Sequence, residues 1–227
     1  MQKTTLIVPG YHGSGPLHWQ TWMEAQLPAA RRVRGIDWES PVLARWASAV
    51  RDEIDAAAHP VWLVAHSFGC LASVVAAAER PQKVAGLLLV APADPERFAP
   101  LGLRDLAPPG TVSIAGWIPD SPLDCPAMVV ASSNDPWVGF DTASAWAERW
   151  GAGLIRLDQA GHINVDSGFG PWPLGLQLLH SLQRTHDDLP LGAIGEAPLA
   201  QRGRHGALAR IRHHTRMLMD WLPGAGP

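Results

Sequence analysis

A chain of 227 residues, 47% hydrophobic and 17% charged, carries enough apolar surface for one sizeable core, and α/β proteins of this length commonly form a single domain. A formal net charge of −3 and a pI near 6.3 argue against a nucleic-acid partner, which needs clustered positive charge, and fit a small-molecule substrate better. Cys70 and Cys125 belong to no CxxC or Cys/His run, and the apolar run Leu6 to Val8 ends at Pro9; a soluble, cytoplasmic protein with no disulfide framework, metal site, signal-peptide core or membrane span is expected.

In chain order, short runs rich in Val, Leu and Ile at residues 4–8, 61–65, 84–91 and 127–131 read as buried strands, each bounded by Gly, Pro or polar residues. Weaker candidates at 32–36 and 154–157 bring the count to about six. Helical spacing occupies 19–27, 42–57, 71–79, 140–150 and 172–183. Strands alternating with helices imply βαβ units, hence an α/β fold with a doubly wound, mostly parallel sheet flanked by helices. Residues 92–126 are rich in Pro and Gly and read as a long connection, the kind that often covers a site.

Past Thr185 the composition turns Gly/Pro-rich and then basic, so the expected division is a catalytic domain at 1–184 and an extension at 185–227. In the extension, Leu208, Ile211, Thr215, Leu218 and Leu222 give a candidate helix one apolar face, among Arg202, Arg204, Arg210, Arg212 and Arg216. Docking on its own domain, a partner or subunit contact, an interfacial helix and disorder all stay open.

The strand at 61–65 runs through His66-Ser67-Phe68-Gly69 into the helix at 71–79, which is the strand–turn–helix setting of a nucleophile elbow. The usual pattern is G-x-S-x-G, and Ala65 stands at its first position. On the pentapeptide alone, a serine that merely caps the helix explains the pattern as well. A serine nucleophile also needs an imidazole to take its proton and a carboxylate to hold that imidazole. Asp135 follows the strand at 127–131 and His162 follows that at 154–157, in the chain order Ser, Asp, His of α/β-hydrolases and at strand C-termini, where open α/β sheets place their sites. As ordinary turn residues the two would have no reason to share that order and placement.

The developing oxyanion needs backbone donors. Phe68, after the nucleophile, and Tyr11, in the Gly-rich loop after the first strand, are the candidates. That loop matches neither GxGxxG nor GxxxxGK[ST], so it is not read as a phosphate cradle. His66 is a poor base because adjacent side chains in an elbow point apart. Of the eleven tryptophans most belong to packing, with Trp137 and Trp172, beside the triad loops, as candidate pocket walls, together with His12 and Trp117.

Pro9-Gly10-Tyr11, Ser14 to Trp19, His66 to Gly69, Ser133-Asn134-Asp135-Pro136, Gly161 to Asn164, Ser167 to Gly170 and Trp172-Pro173 together resemble the retinoblastoma-binding protein 9/YdeN family of small serine hydrolases, from about the first strand to about Gln183. The resemblance implies a compact α/β-hydrolase domain with a minimal cap, the triad Ser67, Asp135 and His162, and no metal or organic cofactor. The expected activity is carboxylesterase-like cleavage of a small acyl ester through an acyl-enzyme on Ser67. Phe98, Leu101, Leu103 and Trp117 of the short cover are expected to line a shallow pocket. The alternatives are a non-catalytic interaction module, for which the nearest L-x-C-x-E match, Leu123 to Ala127, lacks the glutamate, and lyase or haloperoxidase chemistry on the same fold.

Overall fold

The computed structural model describes residues 4–187; of the extension expected at 185–227, the part from 188 onward, with its candidate basic helix, lies outside the described residues. In chain order the elements are β1 (Thr5–Val8), α1 (Trp19–Gln26), β2 (Ala30–Arg32), α2 (Leu43–Asp55), β3 (Val61–His66), α3 (Phe68–Glu79), β4 (Val84–Val90), the short strands β5 (Phe98–Ala99) and β6 (Gly102–Leu103), β7 (Ala127–Ser132), α4 (Phe140–Arg149), β8 (Gly153–Leu157) and α5 (Pro173–Asp187).

Six of the strands form one sheet in the order β2-β1-β3-β4-β7-β8, every pair parallel. Such a sheet is buried on both faces, which is why its strands read as unbroken apolar runs. Successive residues still go to opposite faces. Leu6, Leu63, Leu87 and Val129 meet α2, α3 and α4 through Trp46, Val50, Phe68, Leu71 and Trp146, while Ile7, Val64, Leu88 and Met128 meet α1 and α5 through Trp19, Met23, Leu178 and Leu182. In α2 the buried Leu43, Trp46, Ala47, Val50 and Ile54 recur every three or four residues, the stripe that a helix lying on a sheet requires.

The second strand starts two positions earlier than expected and is shorter. Instead of 32–36, β2 covers Ala30–Arg32, because Gly35 turns the chain at φ 76°. Helix α3 starts at Phe68, three residues before the expected start, because Ser67 supplies the whole turn. The connection at 92–126 holds the antiparallel pair β5 and β6, whose two-residue strands leave no periodicity to read.

The sheet order reverses between β1 and β3. The chain leaves β1 toward β2 at one edge and returns to β3 on the other side of β1. Loops leaving the C-terminal ends of two such strands diverge and open a crevice between them, the place where open α/β sheets bind ligands.

Candidate active site

Ser67 occupies that crevice at φ 52° and ψ −124°. A non-glycine residue held there costs about 1–3 kcal/mol, so its surroundings must fix it. The Ser67 amide donates to the Val90 carbonyl at 3.0 Å and the Ser67 carbonyl accepts from the Ala93 amide at 3.2 Å. Its side chain makes no capping bond to α3, which removes the plain helix-cap explanation. Two glycines make the turn sterically feasible. A Cβ on Gly69 would lie 2.6 Å from the Val8 carbonyl oxygen and one on Gly10 would lie 2.8 Å from the Ser67 Cβ. Ala65, in place of the usual first glycine, sits fully buried in the core and is not among the residues with positive φ, so its methyl group costs no strain.

The Ser67 Oγ lies 3.0 Å from His162 Nε2. On the other side of the ring, His162 Nδ1 lies 2.8 Å from Asp135 Oδ2 and 3.0 Å from Oδ1. A carboxylate only accepts, so Nδ1 carries the proton and Nε2 presents a lone pair to the serine hydroxyl. The Asp135 side chain is 1% exposed and that of His162 10%, so water competes weakly for these bonds. Asp135 Oδ1 also accepts from the Trp137 amide at 2.8 Å.

Side chains from both loops lace the acid to the base. Asn134 Oδ1 accepts from the Gly161 amide, Ser132 Oγ from the Ala160 amide, and Ser133 Oγ from the Gln159 amide, at 2.8 to 3.0 Å. Within the base loop the His162 amide donates to Ser167 Oγ at 3.0 Å. The bracing roles of Ser132 and Ser167 are not evident from the sequence; their signal is small hydroxyl residues at a strand end and one turn past the histidine.

At the oxyanion side, the Phe68 and Tyr11 amides donate to no group of the described residues, whereas the neighbouring Ser67, His12 and Gly13 amides are all engaged. Gln20, fully buried, holds the loop that carries Tyr11: its Nε2 donates to the Val8 and Val64 carbonyls at 3.2 and 3.1 Å, and its Oε1 accepts from Ser14 Oγ at 2.7 Å. The sequence signal was a glutamine beside Trp19 on the apolar face of α1.

Three imidazoles cluster at this end of the sheet. His66 stands 4.9 Å from the His162 ring and 5.0 Å from His18. Burial, then the neighbouring His162 and His18, push His66 well below the ordinary histidine range; burial, then Arg32 and His162, lower His18 to about 4. Both are therefore neutral near pH 7. The Cys70 thiol, three residues past Ser67, is buried and raised above its ordinary value, which leaves it unfit as a competing nucleophile.

Two of the expected pocket residues lie elsewhere. Trp172 is 6% exposed and packs edge-on against Trp19 at 5.2 Å in the core under α1 and α5, because Gly175 leaves room for its ring. His12 directs its imidazole to the exposed Glu39 at 2.7 Å. Trp117 sits half-exposed on the cover, while Trp137 stands 6.4 Å from the His162 ring with the Arg97 guanidinium 4.6 Å over its face. In the cover Phe98 packs on Phe68 at 4.5 Å as part of the core, and Leu101 is exposed to water. A cavity of about 770 Å³ between the cover and α4, bordered by Glu96, Ile118, Thr142 and Trp146, touches none of the triad.

A parallel sheet with helices on both faces, and a serine, histidine and aspartate in hydrogen-bonded line at its C-terminal edge, define an α/β-hydrolase. Residues 5–181 match the family model described as serine hydrolase, and the chain belongs to that family. Among solved structures it is similar to a YdeN-like hydrolase from Pectobacterium atrosepticum at 37% identity and a TM-score of 0.72, covering 82% of this chain and 92% of that one. The ydeN gene product of B. subtilis is 23% identical with a TM-score of 0.61, over 80% and 99% of the two chains. The α/β-hydrolase domain-containing protein 10 from mouse shares the fold at 18% identity and a TM-score of 0.56, over 82% and 89%. No curated protein matches the chain. Among the described residues no helix is long and apolar enough to cross a membrane.

Proposed function

We propose that this hydrolase is carboxylesterase-like and cleaves a small acyl ester through an acyl-enzyme on Ser67. The observation that carries the reading is the Ser67 Oγ, held at positive φ and 3.0 Å from the unprotonated His162 Nε2. As Oγ bonds to the acyl carbon its proton passes to Nε2, and Asp135 stabilises the resulting imidazolium. The carbonyl oxygen takes the electron pair and turns to the free Phe68 and Tyr11 amides. Collapse breaks the bond to the leaving alcohol, which collects the proton from His162. Water then repeats the sequence: its oxygen bonds to the acyl carbon as His162 takes its proton, the acyl–Oγ bond breaks to release the carboxylic acid, and Ser67 regains the hydrogen from His162.

A small acyl group is favoured by the packing of the cover, in which Phe98, Ile114 and Ile118 are spent on the core. Trp137, half-exposed beside His162, forms one wall of the mouth. A reducing, cytoplasmic setting goes with this reading and is supported by the two free thiols, Cys70 and Cys125. The test is labelling with a fluorophosphonate alongside p-nitrophenyl acetate hydrolysis. Wild type labels and turns over, and Ser67→Ala does neither while unfolding at the wild-type midpoint. A Ser67→Ala protein that labels like wild type refutes the assignment.

A further inference from the structure

Ile163, the residue after His162, stands at φ 50°. Left-handed backbone is unfavourable for a β-branched residue and persists only where the surroundings hold it. The two peptide groups on either side of the Ile163 Cα end in the His162 and Ile163 carbonyls, and each is gripped from outside the loop. His66 Nε2 donates to the His162 carbonyl at 2.9 Å, and Trp19 Nε1 donates to the Ile163 carbonyl at 2.8 Å. Fixing both carbonyls fixes the planes that define φ and ψ of Ile163. The donors are fully buried or nearly so and stand edge-on to each other at 6.0 Å. Their N–H groups go to these carbonyls and not to the Ser67 Oγ.

We propose that His66 and Trp19 form a two-point clamp of positioning residues, which holds the peptide after His162 in its left-handed turn and so keeps the imidazole within reach of Ser67. His66 thus serves the base without being one. As a neutral ring it has a single N–H to offer, and the His162 carbonyl takes it. The inference rests on the reading of His162 as general base.

Rates of fluorophosphonate labelling, resolved into the rate at saturation and the half-saturating concentration, test it on the full chain. His66→Leu removes the donor and His66→Gln restores an N–H at a similar reach, while both lose the ring. A displacement of about 1 Å in a reacting group costs about 10²-fold in rate. His66→Leu should therefore label ~10- to 100-fold more slowly at saturation with the half-saturating concentration within about twofold, and His66→Gln should recover most of the loss. Trp19→Phe, which keeps a ring in the core without the N–H, should show the same pattern. Equal losses in the Leu and Gln variants, or wild-type labelling by His66→Leu, overturn the clamp. If His66→Leu does not fold, Trp19→Phe decides alone: a wild-type rate overturns the clamp and a slowed rate at unchanged half-saturation upholds it. Failure of wild type to label at all would instead refute the serine-hydrolase chemistry.

Discussion

Asn134 Oδ1 accepts the Gly161 amide proton at 2.8 Å, joining the residue before Asp135 to the residue before His162. Asn134 Oδ1 also accepts from Ser132 Oγ at 2.8 Å, and Asn134 Nδ2 donates to Gln159 Oε1 at 3.1 Å. Among the bonds that join the two loops, the one from Gly161 to Asn134 is next to both Asp135 and His162 along the chain. Asn134→Ala should leave the fold standing and lower kcat for p-nitrophenyl acetate by ~10- to 100-fold, the scale expected when a catalytic group drifts by about 1 Å. Steady-state kinetics with a wild-type kcat in this variant would show that Asp135 finds His162 without the brace.

The triad loops were legible because each follows an apolar strand and the residues fall in the order the chemistry requires. Substitution of Ala65 for glycine did not hide the elbow, since the close approach falls on Gly69 and Gly10. What was not legible is what holds the loops in place. His66 and His162 are 96 residues apart and Trp19 and Ile163 are 144 apart, and both bonds end on backbone carbonyls, which have the same chemistry at every position. Trp172 was misplaced for a related reason: its nearness in sequence to the His162 loop says nothing of which face its ring takes, and the space left by Gly175 decides that.

The buried histidines make stability fall as the medium turns acidic. His18 has its pKa lowered to about 4, by burial first, against about 6.5 in an unfolded chain. Above pH 6.5 it is neutral in both states and contributes no pH dependence. Between 6.5 and about 4 the unfolded chain binds a proton that the folded chain refuses, which costs about 1.4 kcal/mol of stability per pH unit at full difference; below about 4 this contribution levels off. His66, lowered for the same first reason, adds to the slope. Urea unfolding from pH 7.5 to 5 should show the decline, and His18→Asn, which keeps an acceptor for the Gln20 amide that His18 Nδ1 now caps, should flatten it. An unchanged slope would mean that His18 is protonated in the folded chain.

Thiol reagents should leave the activity alone. Burial, with Asp124 beside it, pushes the Cys125 thiol up to about 12, so about one molecule in 10⁴ carries the thiolate at pH 8, and Cys70 is raised further by burial. Iodoacetamide at pH 8 should spare the hydrolysis of p-nitrophenyl acetate, while a fluorophosphonate abolishes it. Rapid loss of activity to iodoacetamide would place a reactive cysteine at the site.

The proposed small acyl substrate leads to a prediction from how the cover is tied down. Ile114 donates its amide to the Phe98 carbonyl, Leu123 to the Trp150 carbonyl, and Trp150 Nε1 to the Pro119 carbonyl at 3.0 Å. Phe98, Ile114 and Ile118 turn inward, whereas Leu101 and Leu106 are 87% and 83% exposed. With Phe98 packed on Phe68 and Ile114 and Ile118 in the core, none of these three apolar side chains of the cover is free to line a long acyl chain beside Ser67. Each methylene that finds an apolar wall such as Trp137 adds about 0.8 kcal/mol of burial, and one that passes the mouth adds none. Across p-nitrophenyl esters from acetate to palmitate, assayed below any micelle-forming concentration, kcat/KM should climb over the first few carbons and then level off or fall. Trp137→Ala should flatten the early rise. A steady climb through the long-chain esters would require a deep acyl tunnel and would rule out the small-substrate reading.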